Sequence, residues 1–412
     1  MALKYLYVPS GYKAGTAYGV LPNDSSADFD EFSRATTATR TNKDGLLEIM
    51  GANVPRIDYS DGGCPSLLLE PQRTNKCRAS EDVMLWGTNG GADRDSNQVI
   101  SPDGSKSADL VTTDSVNAGV FSRSMTTTSN TVYSTSVYAK HISGGSKLRF
   151  GISEELHSGN NNKIIVVDLS DGSIVSNQLS GVAEPKVVDV GNGWYRLMIE
   201  HSNTVSGGGG SSLFICYADD ASFSQFSVWG GQIEVGGYTS SYIPNANTEE
   251  GGQTTKRKDA GNFAGNFDFN SNEGVLEARF KAFPIESLSS RITLAADSSN
   301  RIVLGYSGGA NDPRPFLLII SPLSGVDEIQ VNMPSSFNLF DYNTYQLKFQ
   351  SGNNELKING ELVDTDNSFR THTFAFESAL RNISLNIHGT STSRPFYGKI
   401  KHIKAYDSIT DF

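Results

Sequence analysis

At 412 residues the chain is too long for one sandwich or one small domain, so two or more separately cored domains are expected. Charged residues at 19% and 41 glycines suit short strands joined by tight turns and exclude an architecture of long amphipathic helices. A net charge of -11 excludes a nucleic-acid grip, which needs clustered Lys and Arg, and no stretch reaches the roughly 20 apolar residues of a membrane span.

Residues 1 to 30 are rich in Tyr, Gly and Pro, as in Tyr5-Leu6-Tyr7-Val8-Pro9-Ser10-Gly11-Tyr12. They show neither helical nor sustained alternating periodicity, so an extended arm without a core of its own is predicted. The start Met1-Ala2-Leu3-Lys4-Tyr5 lacks the basic-then-apolar run of a secretory signal, which implies synthesis in a cytoplasm without export. Residues 31 to 77 carry polar Thr and Arg, the turn Ser60-Asp61-Gly62-Gly63, and the apolar run Leu67-Leu68-Leu69, which reads as one buried strand. From 78 to 245 short strands follow one another. Tyr133, Val137 and Ala139 fall on one face at period 2, and Gly191-Asn192-Gly193 hands the chain into Trp194-Tyr195-Arg196 as a hairpin would. The glycines 207 to 210 read as a loop, since no P-loop Lys follows them. Residues 246 to 261 are polar and Gly-bearing, the pattern of a linker with a solvated basic run at Lys256-Arg257-Lys258. From 262 to 412 alternation returns: Leu276, Ala278 and Phe280 against Glu277, Arg279 and Lys281. Asn359-Gly360 supplies the positive φ values of a type I′ hairpin turn. The fold class is all-β: two tandem β-sandwiches, jelly-roll and concanavalin-like, behind an extended N-terminal arm.

The stretches Phe32-Ser33-Arg34-Ala35-Thr36-Thr37-Ala38-Thr39-Arg40, Asn53-Val54-Pro55-Arg56-Ile57-Asp58-Tyr59 and Leu67-Leu68-Leu69-Glu70-Pro71-Gln72-Arg73-Thr74-Asn75 resemble a signature near the start of many tailed-bacteriophage virion proteins of the head-fibre, spike or tail-fibre type. Ser136-Val137-Tyr138-Ala139-Lys140, Gly193-Trp194-Tyr195-Arg196 and Trp229-Gly230-Gly231-Gln232-Ile233-Glu234 are similar to the carbohydrate-binding-module-like jelly rolls that follow it. Tyr345, Ile358-Asn359-Gly360 and Phe396-Tyr397-Gly398-Lys399-Ile400 resemble concanavalin-like or laminin-G-like sandwiches. The resemblance implies a structural virion protein, a fibre or capsid-decoration component, assembled in the host cytoplasm. It also implies capsid, portal or tail proteins as partners and a homotrimeric state. The alternative is a receptor-recognition protein that binds a host-surface glycan.

The residues offer little for catalysis, so the chain is expected not to be an enzyme. Glu154-Glu155 point to opposite faces of a strand, Asp219-Asp220 sit in a loop, and a glycosidase needs two carboxylates on one cleft. Among the histidines His141, His157, His201, His372, His388 and His402 no two stand at metal-ligand spacing. No cofactor is expected; structural calcium stays open wherever Asp-rich loops converge. The thiols Cys64, Cys77 and Cys216 have neither the even count of a disulfide framework nor paired zinc spacing, and read as isolated and buried or half-buried.

Attachment to the particle is expected of the arm and its neighbourhood, through Tyr5, Tyr7, Tyr12, Tyr18, Phe29, Phe32, Arg34 and Arg40. Large amphipathic rings and planar guanidinium groups are enriched at interface centres. The competing arrangement has the arm folded back as edge strands on the first sandwich. Trp194 and Trp229 stand in strand patterns and read as core, whereas Trp86, beside Gly87 and Asn89-Gly90-Gly91, is the candidate for stacking on a sugar.

Overall fold

The structure, a computed structural model, describes residues 3–13, 16–20, 31–126, 128, 131–154, 163–179, 185–202, 211–220, 223–249, 252–263, 269–284, 290–307, 314–322, 325–330, 337–363, 367–385 and 395–410. The chain is all-β, and among the described residues helix is confined to the single turns Val83–Leu85 and Asn367–Arg370. It divides into two compact units, one of Met1–Thr37, Met50–Pro71 and Arg257–Phe412, the other of Ala38–Ile49 and Gln72–Lys256. The boundaries therefore differ from those expected, because the second unit's chain is inserted between parts of the first.

In the first unit two antiparallel sheets enclose one core. One sheet is built around the strand Gly398–Tyr406, with Glu273–Ala282 along one side of it and Asn343–Gln350 beyond. Along its other side two strands lie end to end: Ser66–Leu69 pairs with Gly398, Lys399 and Ile400, and Leu3–Lys13 pairs with Ile403, Lys404, Ala405 and Tyr406. The second sheet runs through Arg314–Ser321, Arg301–Ser307, Ser290–Ala295, Asn382–Ser384, Ala260–Phe263 and Glu31–Ser33. Leu276, Ala278 and Phe280 of the first sheet meet Ile292, Leu294, Ile302 and Leu304 of the second in the buried core, as the alternation of Glu277, Arg279 and Lys281 to the other face requires. Phe280 stacks on Tyr345 with ring centroids 4.4 Å apart.

The described residues of the expected arm, 3–13 and 16–20, are thus strands of this unit. Leu3–Lys13 and Thr16–Val20 form a hairpin on the sheet, and Tyr5 and Tyr7 enter the core at 1% and 0% exposure. The folded-back arrangement is the one observed, on the C-terminal sandwich rather than the preceding one. The physical reason is that the outer half of Gly398–Tyr406 needs backbone partners and its core needs aromatic volume. The expected linker 246–261 is also structured at its described residues from 252 onward. It contains the strand Thr254–Lys256, the start of the strand Ala260–Phe263, and a fully buried Asp259 between them; Lys256 is buried rather than solvated.

In the second unit two six-stranded antiparallel sheets face each other. Tyr133, Val137, Ala139, Leu197, Ile199, Val228 and Ile233 of one sheet pack on Phe150, Ile152, Ile165, Val167, Phe214 and Cys216 of the other. The reverse face of the first sheet carries a second, smaller cluster of Tyr138, Trp194, Trp229 and Tyr242, against which Leu47 packs. The turn Asn192-Gly193 has φ of 55° and 75°, the positive pair that a two-residue hairpin demands.

Candidate functional site

The residues expected at a docking surface are distributed differently by the fold. Tyr5 and Tyr7 are core, Phe32 is half-buried against the same core, and Arg40 pairs with Glu48 at 2.9 Å. For Tyr12 and Tyr18 only the strand positions are described, and Phe29 and the glycines 207 to 210 lie outside the described residues. Arg34 is 1% exposed and belongs to a buried ionic cluster. Its Nη1 donates to Asp259 Oδ1 at 3.1 Å, while Nη2 and Nε donate to the carbonyls of Gly51 and Thr36. Arg56 donates from Nη1 to Glu70 Oε2 at 2.9 Å and from Nη2 to Asp259 Oδ2, which also accepts the Glu70 N–H at 2.8 Å. Two guanidinium groups and two carboxylates thus balance in charge inside the protein. Burial opposes the Arg56 charge, and Asp259 and Glu70 outweigh it and raise its pKa above the usual guanidinium range. Arg34 and Arg56 were visible in sequence as polar residues of the signature; the partner Asp259, over 200 positions away, was not.

Trp86 is also corrected. It is 3% exposed, its Nε1 donates to the Ala79 carbonyl at 3.0 Å, and its ring meets Phe214 edge-on at 5.3 Å. Gly231 makes the space: a Cβ there would come 3.0 Å from the Trp86 ring and 2.8 Å from Cys77 Sγ. Trp194 and Trp229 are buried as expected, though in the cluster on the sheet's reverse face. Cys77 and Cys216 are buried and Cys64 is exposed, all three as free thiols. Among the described residues no group of three or more His, Cys, Asp or Glu is arranged to hold a metal ion, and no helix is long and apolar enough to cross a membrane.

The polar groups that do converge lie on the solvent face of the first unit's sheet, where residues 58–66 run beside Gly398–Tyr406. Lys399 Nζ donates to Asp58 Oδ2 at 2.8 Å, Ser60 Oγ at 2.6 Å and Asp61 Oδ2 at 2.9 Å. Lys281, opposite Lys399 across the strands, donates to Asp61 Oδ1 at 2.7 Å. The Tyr342 hydroxyl donates to Asp61 Oδ2 at 2.8 Å, and the amines of Lys281 and Lys401 each sit 5.0 Å from the Tyr342 ring centroid. Lys401 Nζ also donates to the Cys64 carbonyl. Burial alone would lift the Asp61 pKa, but Lys399 and Lys281 hold it well below the usual carboxylate range. For Lys399 burial works against the charge, and Asp58 and Asp61 reverse the effect and raise its pKa. Lys401 goes the other way: burial lowers its pKa, Asp61 acts against that, and the neighbouring amines of Lys399 and Lys281 add to the lowering by less. Sequence reasoning passed over these lysines because, at alternate strand positions, each looks like an ordinary solvated residue. The turn at Asp61 and the bulge at Lys401 draw them together.

Neither a protein-family model nor a curated protein sequence matches this chain. Among solved structures it is similar to the CBM40 module of the Ruminococcus gnavus IT-sialidase, at 14% identity and a TM-score of 0.27 over 34% of this chain and 78% of that one. The same module bound to alpha2,3 sialyllactose is matched at 14% identity and a TM-score of 0.26, over 33% of this chain and 76% of that one. The N-terminal CBM22-1-CBM22-2 tandem domain of Paenibacillus barcinonensis Xyn10C is matched at 10% identity and a TM-score of 0.26, over 80% of this chain and 95% of that one. Likeness of this degree assigns no ligand to the chain.

Proposed function

We propose that this chain is a non-catalytic structural component of a tailed-bacteriophage particle, a head-fibre, tail-fibre or capsid-decoration protein assembled in the bacterial cytoplasm. The observation that carries the reading is the buried cluster of Arg34, Arg56, Glu70 and Asp259. Three of these four residues stand in the stretches that resemble the virion signature, so the signature is spent on bracing a β-sandwich. That suits a stiff module better than a reactive cleft. With Tyr5 and Tyr7 in the core, attachment to capsid, portal or tail proteins falls to other surfaces of a homotrimer. Mass spectrometry and immunogold labelling of purified particles from cells expressing the chain test the proposal. Stoichiometric incorporation supports it, and absence from particles overturns it.

A second reading, recognition of a host-surface glycan, is favoured by the amines, hydroxyls and carboxylates gathered around Tyr342 on a solvent-facing sheet. Mixed donors and acceptors of this kind are what saccharide hydroxyls need. A glycan array with the full chain checks it, and no retention of any saccharide would refute it.

A further inference from the structure

The cluster around Tyr342 has an uneven charge balance. Three amines, Lys281, Lys399 and Lys401, face two carboxylates, Asp58 and Asp61, which leaves one positive charge on a chain whose net charge is -11. The surplus has a definite location. Lys399 is enclosed by Asp58, Ser60 and Asp61, and Lys281 is held by Asp61. Lys401 meets the Cys64 carbonyl and the face of Tyr342, with no carboxylate of the described residues in ion-pair contact. Its position is set by a register shift: Phe280 pairs with Ile400 and Arg279 with His402, so Lys401 is the extra residue of a β-bulge. Bulges of this kind re-aim a side chain that regular pairing would direct elsewhere.

The geometry points to Lys401 and Lys281, each 5.0 Å from the Tyr342 ring centroid, as a subsite for the carboxylate of an acidic saccharide. This inference rests on the glycan reading above and adds the ligand's charge class. A bare polyanion would be repelled by Asp61. A hydroxylated ring with a single acid group uses both kinds of neighbour, the acid meeting the amines and a hydroxyl donating to Asp61. That carboxylate offers about four acceptor positions, and three are taken by Lys281, Lys399 and Tyr342. Burial lowers the pKa of Lys401 in spite of the nearby Asp61 carboxylate, and an incoming anion would offset that loss.

The test is binding of a uronic-acid tetrasaccharide to the full chain, measured by calorimetry beside its carboxyl-reduced neutral counterpart. The wild type should bind the acidic form and weaken as salt rises. Lys401→Gln should lose at least tenfold in affinity, and Lys401→Arg should retain most of it. Equal binding by Lys401→Gln, or equal binding of the acidic and neutral forms, would overturn the inference while leaving glycan recognition standing. Binding of neither form would overturn the inference, and with no retention on the array it would overturn the glycan reading too.

Discussion

Arg56 and Asp259 are both fully buried, and each has a partner that depends on the other. Removing one member of a buried ion pair leaves an uncompensated charge in the interior, a change worth about 3–5 kcal/mol. Arg56→Ala should therefore lower the first unit's unfolding free energy by an amount in that range, read as a lower urea midpoint, without changing the second unit's. His201 acts through protons instead. It is 1% exposed, stacks on Tyr133 and shares a hydrogen bond with Thr135 Oγ1 at 3.0 Å. Burial first, then the charge of Lys163, lowers its pKa from 6.5 to about 4. Between those values the unfolded chain holds a proton that the folded one refuses. Stability present above pH 6.5 is thus lost as pH falls toward 4, by at most about 3 kcal/mol. His201→Gln should flatten the fall in melting temperature over this window. Glu277 acts at a lower pH: burial would raise its pKa, yet hydrogen bonds from His402, Lys404 and Gln346 hold it at about 2. Its contribution is complete above pH 4.5 and lost toward pH 2, so the two effects separate along the pH axis.

Among elements, the hairpin Glu355–Ile358 to Glu361–Leu362 was legible residue by residue. Asn359 and Gly360 adopt φ of 53° and 87°, and Asn359 also accepts the Thr344 N–H at 2.9 Å, tying the turn to the neighbouring strand. Space around Gly360 is open, so the cost of a side chain there is backbone strain alone. Gly360→Val should destabilise the first unit by about 1 kcal/mol or more in thermal melts, since β-branched residues avoid that conformation. The N-terminal hairpin was not legible in the same way. Tyr5-Leu6-Tyr7-Val8 is apolar at every position, so alternation is invisible although only Tyr5 and Tyr7 turn fully inward. Deleting residues 1–20 should cost the first unit several kcal/mol, about 3 or more, as two core aromatics and one strand edge are lost together. Unchanged melting of the truncated protein would contradict the observed pairing. The candidate cluster around Tyr342 was illegible for a different reason: it is assembled from residues 58–66, 281, 342 and 399–401, which nothing in local pattern connects.

At the scale of the whole molecule, fold class follows from period-2 patterning, while the division of the chain depends on long-range pairing that no local pattern carries. A fragment of residues 262–412 lacks Tyr5, Tyr7, Ile57, Leu67 and Leu69, all members of the first unit's core. It should show neither a cooperative melt nor dispersed amide resonances, whereas the full chain should show both. The pairing of Leu3 with Tyr406 has one more consequence, in the order of events on the ribosome. Leu67, Leu68 and Leu69 emerge early beside their first partner strand, Arg56–Asp58, and gain the partner on their other edge only when residues 398–400 have been made. At about 5–20 residues per second, that is a wait of roughly 15–65 s. The inserted unit, complete by Lys256, is free to fold during translation, and the unit that encloses it in sequence closes only once residues 398–406 have emerged. Three adjacent leucines and two core tyrosines spend that interval without the rest of their sheet, which makes this chain a natural client for a chaperone.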